Sequence, residues 1–149
     1  MDRCVFHIMF EHIMVPYDDS KPAGEALKIA MDLAKKYSSK ISVITYVPIN
    51  FEYSGDGVVY VETTRLLKKS AAYTLSKLEP NLQKLGLAYD LKVIDGVSII
   101  EALLSYAQMH MVDLIVMGSR GLGGFKKLML GSVASGISQH SKCPVLIAK

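Results

Sequence analysis

Apolar residues along this chain fall into short unbroken runs that alternate with longer stretches of helical spacing. The run His12 to Tyr17 reads as a buried strand, and it ends at Asp18-Asp19-Ser20, a polar triplet suited to starting a helix. A helix follows from Ala23, Ala26, Leu27, Ala30, Leu33, Ala34 and Tyr37, which share one face, with lysines on the other. Ile41 to Val47 is the second strand. Pro48 to Tyr60, punctuated by Pro48, Asn50, Gly55, Asp56 and Gly57, reads as a surface loop. The spacing predicts a second helix over Glu62 to Leu85, stopped by Gly86 and kinked or split at Pro80. Beyond it come a third strand (Tyr89 to Ile94), a third helix (Val97 to His110), a fourth strand (Asp113 to Met117), a fourth helix (Ser132 to His140) and a fifth strand (Cys143 to Ile147).

Strands that alternate with helices imply βα units and a parallel sheet covered on both faces. The strands are continuously apolar, as such burial requires. The expected fold is α/β, a single-domain α/β/α sandwich with a five-stranded parallel sheet in the order 3-2-1-4-5. At 149 residues one domain is expected. Met9 could itself start a chain, so residues 1–8 are expected to be an N-terminal extension and residues 9–149 the domain.

Composition narrows the function classes. No apolar run approaches the roughly 18 residues of a membrane span. Met1-Asp2-Arg3 precedes only a brief apolar stretch without a small-residue cleavage site, so a cytoplasmic location is expected. A formal charge of +3, with lysines scattered except for Lys126-Lys127, does not suggest a nucleic-acid surface. Cys4 and Cys143 lie far apart without metal-ligand or redox spacing, and Cys143 is expected to be a small buried residue of the last strand. His7, His12, His110 and His140 likewise lack ligand spacing.

The stretch with most chemical content is Gly118-Ser119-Arg120-Gly121, nine residues, then Gly131-Ser132. Glycines permit positive φ and close approach of backbone to an anion, and Ser132 would stand at a helix N-terminus with outward N–H groups and cap it. The stretch reads as a phosphate cradle, with Arg120 or Lys127 available for charge pairing. In open parallel sheets ligands bind beyond the carboxyl ends of the strands where strand order reverses. For the order 3-2-1-4-5 that point lies between the first and fourth strands, which brings Asp18 and Gly118 to one crevice. Asp19, a second carboxylate there, could assist a divalent cation or cap the first helix. A phospho-receiver reading built on Asp18-Asp19, Asp95 and Lys149 fits poorly, because two helices and a long loop separate Asp19 from Asp95 and the glycine stretch is left without a role.

Met14-Val15-Pro16-Tyr17-Asp18-Asp19-Ser20, Asp113 to Gly121, Leu130-Gly131-Ser132-Val133 and Cys143-Pro144-Val145-Leu146 together resemble the universal stress protein family, from about Met9 to the C-terminus. The glycine spacing is that of the family's ATP-binding branch. The resemblance implies ATP, with Mg or Mn as a possible companion, as the ligand. It implies that Pro16, Tyr17 and Asp18 line the nucleoside side, with Asp18 near adenine and ribose, and that Val47 contacts the base. Met117 and Gly118 would form the floor, Gly121 the bend of the loop, and Gly131, Ser132 and Val133 the phosphate-binding turn. It also implies a homodimer through the last strand, together with a regulatory protein partner whose identity is unknown. The sequence holds no activated nucleophile paired with a base and no Walker-type lysine, so a nucleotide-dependent binding module is expected. The alternatives are a slow Mg-dependent ATPase using Asp18 or Asp19, and a dimeric interaction scaffold with a vestigial site.

Overall fold

Five apolar runs pair side by side in a computed structural model that describes residues 10–49, 51–54, 57–60, 62–122 and 129–149. The expectations for the extension over residues 1–8, with Cys4 and His7, and for Lys126 and Lys127 lie outside the described residues. In chain order the elements are β1 (His12–Pro16), α1 (Lys21–Tyr37), β2 (Lys40–Pro48), β3 (Phe51–Ser54), β4 (Gly57–Tyr60), α2 (Glu62–Ser76), α3 (Glu79–Gln83), β5 (Tyr89–Gly96), α4 (Ile99–Met109), β6 (Leu114–Gly118), α5 (Ser132–His140) and β7 (Val145–Ala148).

The main sheet runs β5-β2-β1-β6-β7 with every neighbouring pair parallel. Counting only its own strands, this is the order 3-2-1-4-5. Alternation along each strand sends side chains to two cores. Ile13, Val15, Ile41, Val43, Leu114 and Val116 meet α1, α2 and α3. Met14, Ile44, Ile115 and Met117 meet Leu103, Tyr106 and Ala107 of α4 and Ala134 and Ile137 of α5. Buried Ala23, Ala26, Ala30 and Ala34 on α1 carry little bulk, which lets that helix lie close to the sheet.

The structure departs from the sequence reading here in three places, the β3–β4 stretch, the start of α4 and Cys143. The stretch expected as loop contains β3 and β4, an antiparallel pair with Phe51 opposite Tyr60 and Ser54 opposite Gly57. Only Gly55-Asp56 separates the two, a dipeptide that between β-forming runs signals a tight hairpin, and the glycines outweighed that signal in the reading. The long second helix is split as expected, into α2 and α3, with Pro80 in the first turn of α3, where the missing N–H costs no helical bond. Gly86, with φ +66°, then turns the chain toward β5. α4 starts two residues late, because Ser98 accepts from the Glu101 N–H and caps it, leaving Val97 outside and exposed. Cys143 precedes β7, partly exposed and free, with its N–H donating to Ser141 Oγ.

At the N-terminal end of the sheet a buried polar chain ties β1 to β2 and α4. His12 Nδ1–H donates to the His110 carbonyl at 2.9 Å, so Nε2 is left to accept from Ser42 Oγ at 2.7 Å. Tyr106 Oη in turn donates to Ser42 Oγ at 3.4 Å. Burial, aided by Lys40, holds His12 below its ordinary pKa of 6.5 against the opposing pull of the His110 carbonyl, Asp113 and Asp90.

Two predictions follow from this packing. The unfolded chain takes up a proton on His12 at higher pH than the fold does, so stability is complete above about 6.5 and declines as pH falls below it. Urea unfolding of the wild type and His12→Asn at about pH 7.5 and about pH 5.5 should show the larger acid loss in the wild type; equal losses would contradict this. Separately, a Cβ on Gly118 would lie 2.7 Å from the Pro22 carbonyl carbon and 2.9 Å from the Ala23 nitrogen. Gly118→Ala should cost about 1–3 kcal/mol. Gly136→Ala would meet only the Ile100 side chain, crowding its Cδ1 and, at 3.1 Å, its Cγ1, and gains helix propensity, so its net effect should stay below about 1 kcal/mol. Equal losses for the two alanine variants would refute the distinction between backbone and side-chain crowding.

Candidate functional site

β1 and β6 lie side by side at the centre of the sheet, yet the helices that follow them leave for opposite faces, α1 to the first core and α5 to the second. The divergence opens a cleft of about 370 Å³ beyond the carboxyl ends of the two strands. Pro16, Tyr17 and Asp18 reach it from the end of β1, and Met117 and Gly118 from the end of β6. Arg120 and Gly121 line it from the arm after β6, and Gly131, Ser132 and Val133 from the start of α5. Ten of the eleven residues singled out from the sequence therefore meet at one place.

Val47 is not among them. It is 3% exposed, and alternation along β2 turns it to the face opposite Ile44 and Tyr46, which do line the cleft. Ile99 and Leu103 of α4 complete an apolar wall that the sequence reading missed. Their spacing of four on one helix face, and that of Ile44 and Tyr46 two apart on one strand face, are the signals that would have found them. Tyr46 Oη donates to the Gly96 carbonyl at 2.7 Å, which fixes that ring as part of the wall.

The opposite end of the cleft is polar. Gly131 is the N-cap of α5, with φ −64°, and no side chain caps this N-terminus. Ser132 is thus the first helical residue and not the cap expected from the sequence. Helical bonding begins with the Ser135 N–H donating to the Gly131 carbonyl at 2.9 Å, so the N–H groups of Ser132, Val133 and Ala134 lie ahead of the ladder. A helix N-terminus with such groups favours an anion. Ser119 sets its position: its carbonyl accepts from the Gly131 N–H at 2.8 Å, and its own N–H donates to the Ala148 carbonyl at 2.7 Å. The Ser119 hydroxyl is buried and is the single such side-chain atom without a hydrogen-bond partner among the described residues.

Gly118, Gly121 and Gly131 do not use positive φ; among the described glycines only Gly86 does. They are required by close approach. A Cβ at Gly121 would come within 2.5 Å of Asp18 Oδ2, and one at Gly131 within 3.2 Å of the Ser119 carbonyl oxygen.

The carboxylates are engaged by their surroundings. Asp18 Oδ1 accepts from the Ser20 N–H and Oδ2 from the Leu122 N–H, each at 3.1 Å. Asp19 does not cap α1. That role belongs to Ser20, whose hydroxyl accepts from the Ala23 N–H at 3.3 Å. Asp19 adopts φ +64°, a left-handed turn that aspartate tolerates, and accepts from Tyr17 Oη at 3.0 Å. Burial, then the hydrogen bond to Asp19, pushes the Tyr17 phenol up to about 12, so it remains a neutral donor. Among the described residues no cluster of three His, Cys, Asp or Glu side chains is placed to hold a metal, and no helix is long and apolar enough to cross a membrane.

Comparison with known proteins agrees with this geometry. The universal stress protein YxiE of Bacillus subtilis is 33% identical over 149 aligned residues, covering 95% of this chain and all of that protein. A universal stress protein solved in complex with cAMP superposes with a TM-score of 0.71 at 22% identity, covering 95% of this chain and 98% of the other. The universal stress protein of Archaeoglobus fulgidus in complex with dAMP superposes with a TM-score of 0.68 at 19% identity, covering 95% and 99%. Residues 9–149 match the model of the Universal stress protein family, and the chain belongs to that family.

Proposed function

We propose that this protein binds ATP in the cleft between β1 and β6 and serves as a nucleotide-dependent regulatory module. The observation that carries the proposal is the unblocked N-terminus of α5, which opens on the same cleft as an apolar wall large enough for a purine. In this reading the base and ribose lie against Pro16, Tyr17, Asp18, Ile44 and Tyr46, with Met117 and Gly118 beneath them. The phosphates meet the N–H groups of Ser132, Val133 and Ala134, with Arg120 adding positive charge. One helix end contributes up to about 2 kcal/mol when partly buried, so these donors have to act together. Family members solved with cAMP and dAMP support an adenine nucleotide as the ligand class. The proposal extends to a divalent cation, Mg or Mn, arriving with the phosphates.

The proposed form is binding without rapid turnover, with the site's carboxylates in structural use: Asp18 accepts the Ser20 and Leu122 N–H groups and Asp19 accepts the Tyr17 phenol. The proposal includes a cytoplasmic setting and a homodimer through β7, the edge strand of the sheet, whose Val145, Leu146 and Ile147 are only half-buried. A regulatory protein partner would then read the nucleotide state.

The test is to denature freshly purified protein and identify released nucleotide by chromatography, then to titrate ATP with Mg into the emptied protein by calorimetry. About one adenine nucleotide per chain, or a Kd in the micromolar range, is expected. Gly121→Asp sets a second carboxylate against Asp18 Oδ2 and should weaken binding at least about tenfold while the fold persists. No released nucleotide and no heat with ATP would overturn the proposal. ADP formation over many turnovers, lost in Asp18→Ala with binding retained, would replace the binding module with an ATPase.

A further inference from the structure

The Asp18 carboxylate joins two elements that are far apart in sequence. Oδ1 accepts the Ser20 N–H at 3.1 Å, at the residue that caps α1, and Oδ2 accepts the Leu122 N–H at 3.1 Å, from the arm that leaves β6. Gly121 packs so tightly on the same carboxylate that a Cβ there would sit 2.5 Å from Oδ2. Two residues back, the Ser119 carbonyl holds the Gly131 N–H, so the arm and the start of α5 are fastened to each other. The arm is thus held at Asp18 on one side and at Gly131 on the other.

We infer that Asp18 is a positioning residue: in the empty protein it pins the Gly121–Leu122 arm to the N-terminus of α1 and keeps the polar end of the cleft preformed. A charged acceptor makes this hold stronger than a neutral one would. A ligand hydroxyl reaching Asp18 would then compete with the Leu122 N–H for Oδ2, linking occupancy of the cleft to the position of the arm. The inference deepens the nucleotide reading, yet its main test needs no nucleotide.

Amide hydrogen exchange of the empty protein is followed at Leu122, with the amides of β2 and α4 as internal references. Asp18→Ala should speed exchange at Leu122 by about tenfold while the reference amides keep their rates. Removing a negative charge also changes the chemistry of exchange directly, so Gly121→Ala is the decisive companion. It keeps the carboxylate's charge and crowds Oδ2 away from the Leu122 N–H, and should speed Leu122 to a similar degree. Asp18→Asn, whose single amide oxygen can still accept one N–H, should fall between wild type and alanine. Unchanged exchange at Leu122 in Gly121→Ala, or acceleration of Leu122 and the reference amides alike, would overturn the inference. Failure of nucleotide to bind, with Leu122 behaving as described, would overturn the functional reading and leave the positioning role standing.

Discussion

The close contact between the end of β6 and the first turn of α1 constrains the rest of the site. Gly118 has no room for a side chain against Pro22 and Ala23, and this proximity sets how near the N-terminus of α1 comes to the arm after β6. Only at that distance can one aspartate after β1 touch both Ser20 and Leu122. The small residues along α1 serve the same end, because a helix faced with Ala23, Ala26, Ala30 and Ala34 approaches a sheet more closely than one faced with leucine. The cleft follows from strand order; its shape at the polar end follows from this packing.

At Gly118, Gly121 and Gly131 glycine is a steric device and not a torsional one. The sequence motif alone suggests residues chosen for positive φ, and the observed conformations remove that explanation for Gly118, Gly121 and Gly131. Each glycine faces a different neighbour: helix backbone at Gly118, a carboxylate at Gly121, a carbonyl oxygen at Gly131. Substitutions at these positions therefore differ in kind. Crowding at Gly118 strains the fold, whereas crowding at Gly121 acts on the Asp18 carboxylate that holds the arm.

The repeating βα pattern of the chain was readable because its central strands β1 and β6 are buried on both faces and its helices on one, periods that differ sharply. Strand order and the meeting of Asp18 with Gly118 followed from that pattern and the reversal rule. What escaped the reading depended on single hydrogen bonds and on side-chain direction. Ser20 rather than Asp19 caps α1, because the chain turns through a left-handed residue at Asp19 and delivers the next hydroxyl to the Ala23 N–H. Tyr46 rather than Val47 faces the cleft, because a one-residue shift along a strand changes faces. The β3–β4 pair was hidden because its two strands are only four residues each and lie in a stretch rich in Pro, Asn and Gly.

The polar end of the cleft is also tied to the edge of the sheet. Ser119 donates to Ala148 of β7 and accepts from Gly131 at the cap of α5, so one residue's peptide groups relate an edge strand to a helix start. The N–H groups of Ser132, Val133 and Ala134 are held in place by this bridge, and their orientation needs no capping side chain. A capping hydroxyl would have satisfied one of those donors and competed with any anion for it. With glycine at the N-cap, the lack of a capping side chain costs only about a few tenths of a kcal/mol of helix stability. The Ser119 bridge offsets that loss by anchoring Gly131 from outside the helix, and the donors stay open toward the cleft.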